Sequence, residues 1–286
     1  MSRLPRLGYG LAGALLVSVA LAFLFLPLVA VCIAIPPSQA LRDLMTPIAA
    51  SALGLSLRTT SVALIAIVVF GTPLAYWLSR ARFRGKRLLE AAVQMPIVVP
   101  PAVAGVGLLL VFGRRGMLGP AFEALHVSLA FSTTAVVLAQ AFVAGPFFVV
   151  AVRQAFDAID PDLVAVSRTL GAPPLRAFLR VELPLAAPGI LAGAALSWAR
   201  ALGEFGATML FAGSLPGITQ TLPLAIYTAL DSGLDVAVAM AALLLFAAFA
   251  LLLLIRVLDW RIRPDGAGRR KEAIELARLP FSQTPA

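Results

Sequence analysis

The chain has 286 residues, of which 60% are hydrophobic and 13% are charged, and its mean hydropathy is +0.96. Soluble domains contain roughly 45–50% apolar and about 25% charged residues, so this composition excludes an ordinary soluble domain and indicates a membrane protein. The formal net charge is +9. A single cysteine, Cys32, excludes a disulfide within the chain and supplies no set of metal ligands.

The apolar stretches predict six membrane spans. A helix needs about 20 mostly apolar residues to cross the hydrocarbon layer. One stretch, Leu88–Phe112, contains Pro96, Pro100 and Pro101, and we predict a span that is broken near its middle. The other five stretches are Leu11–Ile35, Leu57–Leu78, Leu129–Val152, Leu185–Phe211 and Leu234–Val257. The sequence therefore predicts an all-α membrane protein.

The first apolar stretch has two interpretations. Ser38-Gln39-Ala40 resembles the small-residue site at which a signal peptide is cleaved. Leu11–Ile35 is, however, longer than the apolar core of about 7–15 residues that signal peptides carry. We therefore expect a retained first helix.

Positive charges are concentrated on one side of the predicted spans. If both chain ends are cytoplasmic, only Arg42, Arg58, Arg114 and Arg115 lie outside. The inside segments then hold Arg3, Arg6, Arg80, Arg82, Arg84, Lys86, Arg87, Arg153, Arg168, Arg176, Arg180, Arg256, Arg261, Arg263, Arg269, Arg270, Lys271 and Arg278. This bias predicts cytoplasmic termini and contact with anionic lipid, and it explains the basic cluster 80–87 without any binding of nucleic acid.

A polar segment separates the fourth and fifth spans, and residues 160–184 of it are predicted to form a helical hairpin. Asp160 is a suitable N-cap, and Pro161 suits the first helical position, which needs no backbone donor. Gly171 suits a left-handed helix end. A second short helix is predicted after it, with Pro184 closing the unit before apolar sequence resumes.

The sequence lacks recognisable catalytic machinery. It contains no phosphate-binding loop of the G-x-x-x-x-G-K-[ST] type, and its one histidine, His126, has no cluster of Cys, His or carboxylate residues around it in sequence. We therefore expect a protein that is not an enzyme and binds no cofactor or metal itself. Energy for any work must come from another polypeptide or from an ion gradient.

Several residues inside the predicted spans are candidates for a gate or a translocation path. Charges are costly in lipid, and Arg200 and Glu204 are spaced four apart in the fifth span, so they can pair. The pair could line a polar pathway, or it could be a structural ion pair between packed helices. Thr208 follows in a run of small and polar residues. The remaining candidates are Pro100, Pro101 and Gly145.

The hairpin resembles the cytoplasmic "EAA" loop of bacterial importer permeases, whose pattern is E-A-A-x3-G-x9-I-x-L-P. Ala165-Val166-Ser167 stands at the start of the pattern, with Ala165 where Glu is usual, and Gly171 follows at the expected spacing. Val181, Leu183 and Pro184 complete it. The resemblance implies a permease of the type I ABC importer architecture, in which residues 153–184 form a loop that couples to an ATPase.

Other stretches are similar to molybdate permeases, and the resemblance extends from Leu55 to Trp260. These stretches are residues 113–119, 199–208, 211–217 and 219–227. The resemblance implies a homodimer of permease chains in the bacterial cytoplasmic membrane. It also implies ATPase subunits on the cytoplasmic side that bind ATP and Mg, and a periplasmic or extracellular oxyanion-binding protein.

The resemblance divides the chain into three parts. Residues 1–56 are expected to form the N-terminal helix and first external loop, residues 57–260 the permease core, and residues 261–286 a poorly ordered cytoplasmic tail. The substrate remains open among molybdate, tungstate and sulfate or thiosulfate. A gradient-driven secondary transporter and a membrane scaffold that transports nothing are further alternatives.

Overall fold

The computed structural model describes residues 9–34 and 46–262, and these residues form helices and connecting turns without a β-strand. The helices are α1 (Tyr9–Ile33), α2 (Pro47–Arg80), α3 (Lys86–Val98), α4 (Pro101–Phe112), α5 (Gly119–Ala124), α6 (Thr133–Asp157), α7 (Pro161–Thr169), α8 (Pro174–Ala177), α9 (Leu183–Leu202), α10 (Gly206–Phe211), α11 (Leu222–Ala229) and α12 (Leu234–Ile262), and a π-helical segment (Phe178–Glu182) joins α8 to α9. The predicted all-α fold is confirmed.

Five helical segments within the described residues are long and apolar enough to cross a membrane, and α3 with α4 makes a sixth if that bent pair is one span. The two helices meet at 111°. Pro100 has an extended backbone at the junction, and Pro101 begins α4 where no backbone donor is required. The predicted break between residues 88 and 112 is therefore confirmed, and its crossing of the membrane stays a prediction.

The second span begins earlier than its apolar pattern indicated. Helix α2 starts at Pro47, and the hydroxyl of Thr46 accepts a hydrogen bond from the Ala49 N–H at 3.4 Å. Arg58, which we expected in an external segment, therefore lies inside a helix. The helix begins before the apolar stretch because a polar cap and a proline start a helix independently of hydrophobicity. The side of the membrane on which Arg58 lies stays a prediction.

The fifth span differs from expectation at both ends. It was expected over Leu185–Phe211, but α9 ends at Leu202 and α10 starts only at Gly206. At the other end, Pro184 does not close the hairpin, because helical structure continues from Pro174 to Leu202 through the π-helical segment. Proline is tolerated there because Pro184 stands in the first turn of α9.

Helix α6 lies at the centre of the fold, between α2 and α9. Its buried side chains Phe148, Val152 and Phe156 contribute to the largest apolar cluster. Small residues allow the neighbouring helices to approach closely, as in other membrane bundles. A Cβ atom at Gly71 would lie 2.8 Å from the Phe148 ring, and one at Gly193 would lie 3.1 Å from Ala151.

Two smaller clusters hold α4, α10, α11 and α12 against the rest of the bundle. Helices α4 and α10 pack against the N-terminal half of α6 around Ala104, Val136 and Phe211. Helices α11 and α12 pack against the start of α2 around Leu222 and Met240. Helix α1 contacts α12, but none of its apolar window is buried by the described residues.

The predicted tail (261–286) and first external loop fall largely outside the described residues. The division of the chain at residues 56 and 260 stays a prediction. The cleavage-like sequence Ser38-Gln39-Ala40 also lies outside the described residues.

Candidate functional site

The first arm of the hairpin is a capped helix, as the sequence predicted. The Asp160 carboxylate accepts a hydrogen bond from the Asp162 N–H at 2.9 Å, and Pro161 occupies the first turn of α7. Gly171 ends the arm with a φ angle of +84°, which lies in the left-handed region that glycine adopts at little cost. Its N–H donates to the Arg168 carbonyl at 2.9 Å. The predicted local architecture is therefore confirmed.

The hairpin presents an apolar surface that the other described residues do not cover. Leu163 and Val166 lie on α7, Leu170 follows its last residue at helical spacing, and Leu175 lies on the second arm. Leu170 is 83% exposed, so the surface is open to solvent or to another protein. We call these four residues the hairpin apolar surface.

The six predicted loop residues divide into two groups. Ala165 and Ser167 lie on α7, where the Ser167 hydroxyl donates to the Val164 carbonyl at 2.9 Å, and Gly171 makes the turn. Val181, Leu183 and Pro184 lie on the second arm, which continues into α9. The hairpin fold brings both groups to one end of the bundle.

Glu182 is a buried residue of the hairpin that the sequence patterns did not identify. Only 2% of its side chain is exposed. Its Oε2 accepts hydrogen bonds from Nε of Arg80 at 3.1 Å and from Nη2 of Arg80 at 2.6 Å. Its Oε1 accepts one from the Tyr76 hydroxyl at 3.1 Å. No local spacing connects residue 182 with residues 76 and 80, so only the tertiary structure reveals this network.

Two aromatic rings pack against Tyr76, which belongs to the same network. The Tyr76 ring centroid lies 5.2 Å from that of Phe156 and 4.7 Å from that of Phe178, both in edge-to-face geometry. Tyr76 belongs to α2, Phe156 to α6 and Phe178 to the π-helical segment. Three parts of the bundle therefore meet at the base of the hairpin.

A second group of polar residues lies where α9 breaks. Nη1 of Arg200 is 2.8 Å from Oε2 of Glu204, so the predicted ion pair forms. Glu204 lies in the turn between α9, which ends at Leu202, and α10, and not within one continuous helix as we expected. Its Oε1 accepts the Ala207 N–H at 2.9 Å, so the carboxylate caps α10 while it pairs with the arginine.

The two helix breaks of the core pack against each other. A Cβ atom at Gly206 would lie 2.6 Å from Cβ of Pro101, so glycine is required for this approach. Thr208, which lies further along α10, is fully buried, and its hydroxyl has no hydrogen-bond partner among the described residues. The structure therefore brings Pro100 and Pro101 close to the segment that carries Glu204 and Thr208. We call this region the break junction.

Gly145 does not belong to the break junction. It lines an apolar groove between α2, α3 and α6 together with Ile67, Phe70 and Val149. A Cβ atom at Gly145 would lie 4.0 Å from Ile67, which is ordinary contact. The six candidate gate residues therefore occupy two places in the fold.

Other buried polar contacts hold the spans in register and were not predicted. The Ser197 hydroxyl donates to the Ala144 carbonyl at 2.8 Å. Nε1 of Trp198 donates to the Thr60 hydroxyl at 2.9 Å. Such hydrogen bonds join helices where lipid offers no alternative partner.

Residues 67–264 match the family model of the binding-protein-dependent transport system inner membrane component. This chain belongs to that family. Members of this family are permease subunits, which agrees with the expectation of a transport protein rather than an enzyme. The resemblance seen in the hairpin motif is thus confirmed over most of the chain.

Curated relatives are similar over most of their length. The molybdenum transport system permease protein ModB of Mycobacterium tuberculosis is 43% identical over 226 residues, which cover 79% of this chain and 86% of that protein. ModB of Escherichia coli is 39% identical over 218 residues, which cover 75% of this chain and 95% of that protein. A probable molybdenum ABC transporter permease protein of Haloferax volcanii is 41% identical over 256 residues, which cover 89% of this chain and 92% of that protein.

Solved structures show the same fold at low sequence identity. A chain of a bacterial ABC transporter that imports alginate matches with a TM-score of 0.69 and 16% identity, covering 89% of this chain and 96% of that one. A chain of the methionine transporter MetNI, in an inward-facing conformation, matches with a TM-score of 0.60 and 19% identity. The match covers 76% of this chain and 97% of that one. The permease therefore has the fold of the type I ABC importers.

Proposed function

We propose that this chain is the transmembrane permease subunit of an ATP-driven importer for molybdate in the bacterial cytoplasmic membrane. The observation that carries the proposal is the 39–43% identity to molybdenum transport permeases from two bacteria, across at least 86% of each relative. The chain provides the gated path, and ATP and Mg are bound by a separate ATPase subunit.

The hairpin is the docking element for that ATPase. Its apolar surface of Leu163, Val166, Leu170 and Leu175 is exposed, and α7, which carries the first two of these residues, is capped at both ends. Burial of such a surface favours association, and a capped helix transmits a displacement better than an irregular loop would. Residues of the EAA pattern, Ala165, Ser167, Gly171, Val181, Leu183 and Pro184, form the frame of this element.

The break junction is the gate of the path. Pro100 and Pro101 interrupt one span, the segment before Gly206 interrupts another, and the interruptions are in contact. Backbone without helical hydrogen bonds is tolerated at membrane depth where it lines a cavity or is buried in protein. Arg200, Glu204 and Thr208 supply the polar groups at this point.

A second permease chain completes the path. The described residues bury none of the apolar window of α1, which supports contact of this helix with lipid or with the partner. An oxyanion-binding protein delivers the substrate from outside, as the description of the family indicates a binding-protein-dependent system.

Reconstitution into lipid vesicles tests the proposal. The permease is combined with its ATPase and its binding protein, ATP is supplied on the ATPase side, and uptake of labelled molybdate is measured. We expect uptake that requires ATP and the binding protein, competition by tungstate, and little competition by sulfate or thiosulfate. Sulfate uptake without molybdate uptake would reassign the substrate. Uptake driven by an ion gradient without ATP would reject the ABC mechanism.

A further inference from the structure

We propose that Glu182 is a positioning residue that links the hairpin to α2, so that movement of the ATPase reaches α2 as well as α9. The inference rests on the proposed function, because it assumes that an ATPase docks on the hairpin. Chain continuity already joins the hairpin to α9 through the π-helical segment. A connection to α2 requires contacts across the fold, and Glu182 provides them.

The carboxylate of Glu182 is held by three donors from α2. Arg80 contributes two of the hydrogen bonds and Tyr76 contributes the third. Among the described residues, these are the side-chain hydrogen bonds that join α2 to residues 160–184. A carboxylate that is only 2% exposed cannot exchange these donors for water without first leaving its site.

The π-helical segment explains why Glu182 faces α2. Its wider turn is marked by a hydrogen bond from the Leu183 N–H to the Phe178 carbonyl, five residues back. One additional residue in a turn rotates the downstream helix by about 100° relative to a continuous α-helix. Pro184 has no N–H and so donates no backbone hydrogen bond to the preceding turn. The wide turn can therefore form without breaking a hydrogen bond at this position.

Glu182 connects α2 to the hairpin in a region where the packing between these two elements is incomplete. A cavity of about 420 Å³ separates α7 from the cytoplasmic end of α2, and Ala165, Arg168, Arg80 and Glu182 contribute to its wall. A second, apolar cavity of about 580 Å³ lies beside Tyr76 and Phe178. The two cavities leave packing between α2 and the hairpin incomplete, so the buried ion pair adds a connection to the one that the Tyr76–Phe178 ring contact makes.

A purely stabilising role and a transmitting role predict different results. A stabilising contact, when weakened, reduces the amount of assembled complex, so ATP hydrolysis and uptake fall together. A transmitting contact changes the ratio between them, because the ATPase still docks and cycles while α2 no longer follows. The number of ATP molecules hydrolysed per ion imported separates the two roles.

Glu182→Gln in the complete reconstituted importer is the test. Glutamine keeps the shape of the side chain, and Arg80, which is 33% exposed, can reach water when the charge is removed. We expect the ratio of ATP hydrolysed to molybdate imported to rise by about tenfold, in the range typical of coupling between sites. Tyr76→Phe, which removes one donor, should raise it by a smaller factor. The double variant Arg80→Gln with Glu182→Gln should resemble the single variant, because the two residues act as one unit.

Asp157→Asn is the matched control. Asp157 also pairs with an arginine near the hairpin, Arg153 at 3.5 Å, but its side chain is 41% exposed. The ratio should stay within about twofold of the unchanged protein, since exposed ion pairs contribute little. An unchanged ratio in Glu182→Gln, or parallel loss of hydrolysis and uptake at equal assembly, would overturn the inference. Failure of the unchanged complex to import molybdate would instead reject the proposed function.

Discussion

At the scale of single residues, the pair of Arg200 and Glu204 shows how one carboxylate serves two structural purposes. Glu204 neutralises the arginine with one oxygen and caps α10 with the other. The two partners differ in exposure, since the side chain of Arg200 is 29% exposed and that of Glu204 only 1%. Removal of Arg200 and removal of Glu204 should therefore lower the free energy of unfolding by different amounts.

Arg200→Leu should lower the free energy of unfolding by about 3–5 kcal/mol, because it leaves a buried carboxylate without its cation. Glu204→Gln should lower it by about 1–2 kcal/mol, since glutamine can still accept the Ala207 N–H and the arginine can turn towards water. Unfolding of each variant in the same detergent measures the difference. Equal losses, or the reverse order, would contradict the structural assignment.

At the scale of elements, the glycine in the turn of the hairpin can be compared with a glycine in another turn. Gly171 has a φ angle of +84°, and Gly85, in the turn before α3, has a φ angle of +92°. Nothing in the described structure lies within 4 Å of a Cβ atom built at either position. Alanine therefore imposes the same backbone strain at both sites and no steric clash.

Gly171→Ala and Gly85→Ala should each cost about 1 kcal/mol of stability, the usual cost of a left-handed non-glycine residue. Only Gly171→Ala should weaken ATPase binding and reduce uptake several-fold, because it distorts the docking element. Thermal unfolding, co-purification of the ATPase and vesicle uptake measure the three quantities. If both variants impaired uptake equally, the hairpin would have no special part in coupling.

At the scale of the whole molecule, the charge pattern predicts the orientation of the bundle in the membrane. The hairpin and the cluster 80–87 fall on the side predicted to be cytoplasmic, whereas the turn after α5 falls outside. The single cysteine, Cys32, makes this orientation easy to examine once it is replaced by serine.

In a Cys32→Ser background, Ser128→Cys should react with a membrane-impermeant maleimide added to intact cells. Thr169→Cys should react only after the membrane is opened. Both positions are exposed in the single chain, so accessibility in the membrane decides the result. The opposite labelling pattern would reverse the predicted orientation and place both termini outside.

The sequence by itself determined the elements whose causes are local. The apolar stretches marked the spans, the prolines at 100 and 101 marked the broken one, and Asp160 and Gly171 marked the hairpin helix. It also predicted the pairing of Arg200 with Glu204 from their spacing. The pair forms although Glu204 lies two residues beyond the end of α9. The predicted helix ends were less accurate where caps and prolines outweighed hydrophobicity, as at Pro47 and Leu202.

Only the tertiary structure decided which distant residues meet. The Glu182 network joins residues more than a hundred positions apart, and the contact of Pro101 with Gly206 joins two separate helix breaks. Gly145, which resembled the other gate candidates in sequence, proved to lie in a different groove. The reason is physical: capping and hydrophobic periodicity act within a few residues, whereas burial and pairing of charges depend on how the helices pack.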